Sequence, residues 1–193
     1  MSTTLDLEDA GPRAPFRLMP HQVTVARSVL ALIWAAALVL VVGDKVPTTD
    51  TDLPTGAALL LASYPLIDVI ASLLNSNFAE KRVMRANAAV SSLAVIGIAI
   101  AAFASDAGAA LVAFGAWAVV SGLILLGVAI HRRRAHGRQL PLIVSGALST
   151  LAGISFIAAS GSDKAHVGNL AGYMAFGAVL FLLWAFRGRQ RQS

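Results

Sequence analysis

Long apolar stretches alternate with short polar segments along the whole chain. The hydrocarbon core of a bilayer is about 30 Å thick and needs about 20 residues of helix, because lipid cannot hydrogen-bond an irregular backbone. The pattern therefore predicts an all-α membrane protein with six transmembrane helices. The predicted spans are residues 23–42, 55–74, 86–104, 109–130, 140–159 and 167–186.

Basic residues divide the connections between these spans into two classes. Of the 15 Lys and Arg residues, all but Lys45 and Lys164 lie near the N-terminus, between spans two and three, between spans four and five, or after span six. The other connections carry most of the aspartates instead. Short loops rich in Lys and Arg are retained in the cytoplasm, so we expect both termini inside and three hairpins.

The polar ends of the chain are predicted to lie outside the membrane domain. Residues 1–22 are expected to form a mobile cytoplasmic tail, residues 23–186 the transmembrane domain, and residues 187–193 a basic cytoplasmic tail. Asp6, Glu8, Asp9 and Pro12 precede any apolar run, a pattern that does not fit a cleavable signal peptide. We therefore expect the first span to act as an uncleaved signal anchor.

Composition agrees with a membrane protein. The chain has 57% hydrophobic and 13% charged residues and a mean hydropathy of +0.74, whereas soluble domains carry about 25% charge. The net charge of +5 is dispersed over helix ends, which favours anionic lipid headgroups over nucleic acid as the partner. Arg132, Arg133 and Arg134 are the predicted headgroup contacts. Arginine greatly outnumbers lysine, which is typical of GC-rich bacterial proteins and indicates a plasma (inner) membrane.

Weak self-similarity suggests that the three hairpins are repeats. At an offset of about 58 residues, Arg27 corresponds to Arg85, and residues 91–94 correspond to residues 149–152. Gly115 and Trp117 correspond to Gly172 and Met174 at a similar offset. Diverged helical hairpins would drift in this way, although helices rich in Ala, Leu and Gly also resemble one another without duplication.

Asp68 is the residue that stands out inside a span. A carboxylate near the bilayer centre costs about 2.5 to 3.5 kcal/mol on insertion scales, so it normally faces a partner, water or the bundle interior. Tyr64, Ser72 and Asn75 share its helical face and complete a candidate polar site. Pro65 in the same span removes a backbone hydrogen bond and favours a kink. Arg27 and Arg85 are the predicted charge partners.

Two interpretations of Asp68 remain open. It can hydrogen-bond neighbouring helices and fix their packing, or it can bind a proton or cation in a small transporter or channel. No predicted span contains a second carboxylate, which a proton-coupled transporter would usually have, so packing is favoured.

No pattern typical of an enzyme occurs in the sequence. The chain lacks cysteine and contains neither a zinc-protease, a nucleophile-elbow, a phosphate-loop nor a dinucleotide motif. We expect no catalytic residue, no cofactor and no metal. The loop histidines His131, His136 and His166 are interpreted as solvated side chains. Gly168 and Gly172 form a G-x-x-x-G step that permits close packing within the bundle or a homo-oligomer; the sequence identifies no soluble partner.

Several Gly, Ser and aromatic positions carry a family resemblance. They are Phe114 to Trp117, Ser121-Gly122, His131 to Arg134, Ser145 to Ser149, Gly153-Ile154, Ala171 to Tyr173 and Gly177 to Val179. In these segments the chain resembles the acid-resistance HdeD type of membrane protein, best over residues 86–186. The resemblance implies a six-helix inner-membrane protein with a role in tolerance of acid stress, acting on the membrane or on a partner. It implies no catalytic residue.

Overall fold

The computed structural model describes residues 20–42, 46, 52–74, 81–136, 140–162 and 166–189. These residues form six α-helices, and none of them lies in a β-strand. The class is therefore all-α, as the apolar pattern predicts. The helices are α1 (Pro20–Val42), α2 (Thr55–Leu74), α3 (Lys81–Ala104), α4 (Ala107–His136), α5 (Leu140–Ala159) and α6 (Asn169–Arg189).

The helix ends differ from the predicted span limits where charged residues adjoin an apolar run. Helices α2 and α5 have the predicted bounds, but α3 begins at Lys81 rather than at residue 86, and α4 continues to His136 rather than ending at 130. An apolar window reports only the part of a helix that suits lipid, and Lys and Arg continue a helix without difficulty. Likewise, α1 begins at Pro20 and α6 ends at Arg189, so both extend into the predicted tails; residues 1–19 and 190–193 lie outside the described residues.

Local signals account for two helix starts. Pro20 is the first residue of α1, a position where the missing N–H costs nothing. Asp106 is the N-cap of α4, since its Oδ1 accepts a hydrogen bond from the backbone N of Ala109 at 2.7 Å. Asp106 therefore caps the start of α4 in the short turn that follows α3.

Five helices, α1 to α5, are long and apolar enough to cross a membrane. The apolar described part of α6, Asn169–Leu183, is shorter, so its role as a sixth span stays a prediction. Large apolar side chains cover the outside of the bundle, among them Leu40, Leu93 and Leu151. Exposed apolar side chains in this number suit lipid better than water. The chain is thus a multi-pass helical membrane protein in its architecture.

The six helices close into a ring. Each helix packs against the next one along the chain, and α1 packs against α6. The most extensive packing joins α2 to α3, α4 to α5 and α1 to α6, that is, helices from different predicted hairpins. Neighbours run antiparallel, so the starts of the odd helices and the ends of the even helices lie together. We call this side, with its Lys- and Arg-rich connections, the basic end, and the opposite side the acidic end.

Glycines allow α4 and α5 to approach most closely. A Cβ added at Gly153 would lie 2.5 Å from the carbonyl oxygen of Gly115, and one at Gly146 would lie 2.9 Å from that of Gly122. Gly172 differs, because it is exposed and an added Cβ would meet no atom within 4 Å. The predicted G-x-x-x-G step therefore does not bring α6 close to another helix of this chain at Gly172, and Gly115 and Gly172 do not share an environment.

Apolar and aromatic side chains fill the ring from its middle to the acidic end. Phe114 is fully buried and its ring lies 5.2 to 6.3 Å from four other aromatic rings, which come from α2, α4, α5 and α6. We call these five residues the aromatic cluster: Tyr64, Phe114, Trp117, Phe156 and Tyr173. At the acidic end, the backbone N of Val167 donates to the carbonyl of Val46 at 3.0 Å, which joins the first connection to the last.

Candidate functional site

Asp68 lies inside the ring, towards the basic end of α2, with 4% of its surface exposed. Its Oδ1 is 2.7 Å from Nη2 of Arg27 on α1. Because α1 and α2 are antiparallel, a residue near the start of α1 comes level with one near the end of α2. Of the two predicted charge partners, Arg27 therefore forms the ion pair, whereas Arg85 is exposed.

The second carboxylate oxygen is bound by α3. Oδ2 of Asp68 accepts hydrogen bonds from Nδ2 of Asn87 at 2.7 Å and from Oγ of Ser91 at 2.8 Å. Ser91 in turn accepts a hydrogen bond from Nε1 of Trp117 on α4 at 3.0 Å. One buried carboxylate thus connects four helices, α1 to α4, through polar contacts.

The other predicted members of the polar site have different positions. Ser72 is buried and its Oγ accepts a second hydrogen bond from Nδ2 of Asn87, at 2.8 Å. Tyr64 belongs to the aromatic cluster, where its ring packs against Phe114 and Trp117. Asn75 lies outside the described residues. Pro65 is buried within α2, which is helical on both sides of it.

Among the predicted headgroup contacts, Arg133 is exposed at the basic end of α4. The backbone of Arg132 and Arg134 belongs to the same helix, and their side chains lie outside the described part of the structure. An exposed arginine at the end of a spanning helix suits an anionic headgroup.

Sequence reasoning missed Asn87, Ser91 and Trp117 as parts of the site. A signal for two of them was present, because Asn87 and Ser91 are four residues apart and so share one face of an otherwise apolar helix. Trp117 carried no comparable signal, since a tryptophan in a span is usually packed against apolar neighbours.

Asp68 and the side chains that contact it, Arg27, Asn87 and Ser91, are called the Asp68 network below. A cavity of about 200 Å³ adjoins this network at the basic end of the ring. All six helices contribute to its wall, for example through Arg27, Asp68, Asn87, Ser121, Ser145 and Phe181. Tyr64, Trp117 and Tyr173 line it as well, and these side chains also belong to the aromatic cluster. The cavity is therefore bounded by packed aromatic rings on the side facing the acidic end.

Arg27 joins α1 to α6 as well as to α2. Its guanidinium carbon lies 4.6 Å from the ring centroid of Phe181, a cation–π arrangement. Its side chain remains 29% exposed, against 6% for that of Asp68. The two opposite charges bring no net charge into the ring, which reduces the cost of holding them in an apolar bundle.

One buried polar atom is left without a hydrogen bond. Among the side chains that the structure describes, Oδ1 of Asn87 has no partner, although Asn87 is only 7% exposed. The orientation of the amide follows from its neighbours, since Nδ2 must face the Asp68 carboxylate to donate to it. Leaving such an acceptor unpaired costs about 1 to 3 kcal/mol.

The described residues contain no cluster of three His, Asp or Glu side chains that could hold a metal ion. No protein-family model, no curated protein and no solved structure matches the chain at a significant level. The resemblance to the acid-resistance HdeD type therefore stays a prediction from the residues that carry it.

Proposed function

We propose that this chain is a non-enzymatic multi-pass protein of the cytoplasmic membrane, with both termini in the cytoplasm. In this proposal the Asp68 network has a structural role and holds the helices of the ring in fixed positions. The protein then supports the membrane, or a partner within it, as a rigid helical assembly.

The three donors that contact Asp68 are the observation that supports this role. Its two oxygens receive Arg27, Asn87 and Ser91, all within 2.8 Å. A carboxylate that carries protons or cations must release such partners during each cycle. A carboxylate held by three donors from two other helices is instead suited to fixing the positions of those helices.

Repeated contacts support a three-hairpin organisation. Ser91 on α3 bonds Trp117 on α4, and Ser149 on α5 bonds Tyr173 on α6. Three aromatic residues, Tyr64, Trp117 and Tyr173, line the cavity. The residue four positions after each of them lines the cavity too: Asp68, Ser121 and Gly177 respectively. A parallel repeat with both ends on the basic side accounts for this recurrence if Trp117 corresponds to Tyr173, one residue before the Met174 of the sequence correspondence.

A role in acid stress is part of the same proposal and rests on the family resemblance. It predicts that cells lacking the protein survive an acid challenge less well than cells that produce it. Survival should return when the gene is supplied again. Equal survival of the two strains would remove the acid-stress role and leave the architectural proposal in place.

The second candidate is a small proton or cation transporter, and the polar cavity beside Asp68 is the observation that favours it. Purified protein in proteoliposomes distinguishes the two functions. The structural proposal predicts no proton or cation flux above that of empty liposomes, and a lower melting temperature in detergent for Asp68→Asn.

Asp52→Asn is the matched control, because Asp52 is exposed near the acidic end. It should leave the melting temperature unchanged. Flux that the native protein and Asp52→Asn share, and that Asp68→Asn lacks, would replace the structural proposal by the transport one.

A further inference from the structure

The ring is loosest between α5 and α6, on the side of the cavity. Of the contacts between neighbouring helices, the one between α5 and α6 is the least extensive. Tyr173 of α6 is bonded to Ser149 and packs against Phe156 of α5, and these contacts lie from the middle of the ring towards the acidic end. Towards the basic end both helices contribute to the cavity wall, for example through Ser145 and Gly177.

Phe176 marks the place where the cavity reaches the outer surface. It belongs to the cavity wall and is 55% exposed, and it is the one exposed residue among the described residues of that wall. The space beside it is open, because a Cβ added at Gly177 would meet no atom within 4 Å. Val179 and Leu183 are exposed on the same helix, so the opening lies in an apolar surface that suits lipid.

The more accessible charge in the cavity is the guanidinium of Arg27. Its side chain is 29% exposed, whereas that of Asp68 is 6% exposed. The contact with Asp68 engages Nη2 of Arg27, and a guanidinium has five N–H donors. Arg27 can therefore bind a second carboxylate while it keeps its contact with Asp68.

The charges around the cavity favour an anion over a cation. Asp68 is the one Asp or Glu among the described residues of the basic half of the ring, and Arg27 balances it. Four further cations lie at this end: Lys81, Arg82, Arg85 and Arg133. A surplus of one sign of charge raises the local concentration of ligands of the opposite sign.

An apolar stretch of α6 connects the opening to Arg27. Phe181 packs against the guanidinium, and Leu180, Gly177 and Phe176 continue the cavity wall to the opening. A cavity of about 150 Å³ holds a benzene-sized molecule, so a cavity of about 200 Å³ has room for an anionic head and the first carbons of one chain. The rest of such a chain would extend through the opening into the bilayer.

We propose that the cavity binds the carboxylate head of a fatty acid at Arg27, with the chain leaving between α5 and α6 beside Phe176. A fatty acid combines a small anionic head with a single chain, whereas a membrane phospholipid brings a larger head and two chains. This site goes beyond the proposed structural role and does not depend on it, because the Asp68 network stays intact when a second carboxylate binds Arg27.

Quenching of Trp117 fluorescence tests the site, because Trp117 lines the cavity and is only 6% exposed. The full chain with Trp34→Phe and Trp184→Phe retains Trp117 as its one tryptophan and is reconstituted into phosphatidylcholine vesicles. Hexadecanoic acid brominated next to its carboxylate is added at alkaline pH, where the carboxylate is ionised. Bromine quenches tryptophan at close range, so we expect a saturable loss of most of the emission at a low mole fraction of the fatty acid.

Three brominated lipids serve as comparisons in the same vesicles. The alcohol and the amine of the same chain length should give no saturable quenching, because the alcohol has no charge for Arg27 and the amine has the wrong sign. Phosphatidylcholine brominated on its chains should give none either, because two chains do not fit the cavity. Saturable quenching by any of the three that equals or exceeds that by the fatty acid overturns the assignment.

Two Gly→Leu variants separate binding in the cavity from binding elsewhere. A Cβ at Gly177 or at Gly127 meets no atom within 4 Å, but Gly177 belongs to the cavity wall and Gly127 is exposed on α4 outside it. Gly177→Leu should abolish the quenching of Trp117 by the fatty acid, while Gly127→Leu should retain it. Quenching that survives in folded Gly177→Leu, or that is absent from the folded single-tryptophan protein, refutes the site.

Discussion

Asp68 shows how the cost of burying a charged residue inside an apolar bundle can be offset. Arg27 neutralises Asp68, and Asn87 and Ser91 donate hydrogen bonds to its second oxygen. Removing one member of such a buried pair leaves the other uncompensated, whereas replacing both by apolar groups can be nearly neutral. The network is therefore expected to respond to substitutions in a strongly non-additive way.

A double-mutant cycle measures this coupling. Asp68→Leu alone and Arg27→Met alone should each lower the free energy of unfolding by about 3 to 5 kcal/mol, because each leaves an unpaired charge in the ring. The double variant should lose much less than the sum of the two. Reversible unfolding in mixed micelles gives the four values, and additive losses would mean that the two residues do not stabilise each other.

At the scale of single residues, the sequence predicted the centre of the site but not its surroundings. Asp68 was visible because a carboxylate inside a span is rare. Arg27 was one of two predicted charge partners, and the sequence did not distinguish it from Arg85. Asn87 and Ser91 carried a usable signal, because they form a polar face on α3. Trp117 did not, because packing between helices decides which face of the apolar helix α4 turns inward.

At the scale of elements, close packing between α4 and α5 rests on glycines at contacts where a methyl group has no room. Gly115 opposes Gly153 and Gly122 opposes Gly146, all buried. In membranes, close backbone approach of this kind replaces much of the role that hydrophobic burial has in water.

Gly153→Ala tests this packing. The added Cβ would lie 2.5 Å from the carbonyl of Gly115 and 2.8 Å from Val119, so the helices must separate, and we expect a loss of about 1 to 3 kcal/mol. Gly127→Ala on α4 is the control, because a Cβ there meets nothing within 4 Å. Equal melting temperatures for the two variants would contradict the role of the glycines.

The turn between α3 and α4 offers a smaller test at the same scale. Asp106→Ala removes the N-cap of α4 and should cost about 0.5 to 2 kcal/mol, while Asp106→Asn should retain most of that stability. Thermal unfolding of the two variants checks the difference. If Ala and Asn behave alike, the carboxylate does not cap the helix.

The existence of the helices was the feature of the fold that the sequence predicted best. Their existence followed from the length of the apolar runs, and α2 and α5 have the predicted bounds. Their ends were less predictable where charged residues continue the helix, as in α3 and α4. The order of contacts around the ring could not be predicted, because similar apolar faces offer no sequence signal for a particular neighbour.

At the scale of the whole molecule, orientation in the membrane is open to direct measurement. The chain has no cysteine, so single cysteines can be added to an unmodified background. We expect Asp52→Cys to react with a membrane-impermeant maleimide in intact cells, and Arg133→Cys to react only after permeabilisation; both positions are exposed. The reverse pattern would invert the proposed orientation.

The contact between α1 and α6 has a consequence for chain connectivity. The first and last helices are neighbours in a closed ring, and the start of α1 and the end of α6 both lie at the basic end. We therefore expect the fold to tolerate a different open connection at that end. A circular permutant that links Arg189 to Pro20 and opens the chain between α2 and α3 keeps every helix in its original direction. Such a permutant should insert and unfold like the parent, and the order in which the helices are synthesised would then be irrelevant to the final assembly.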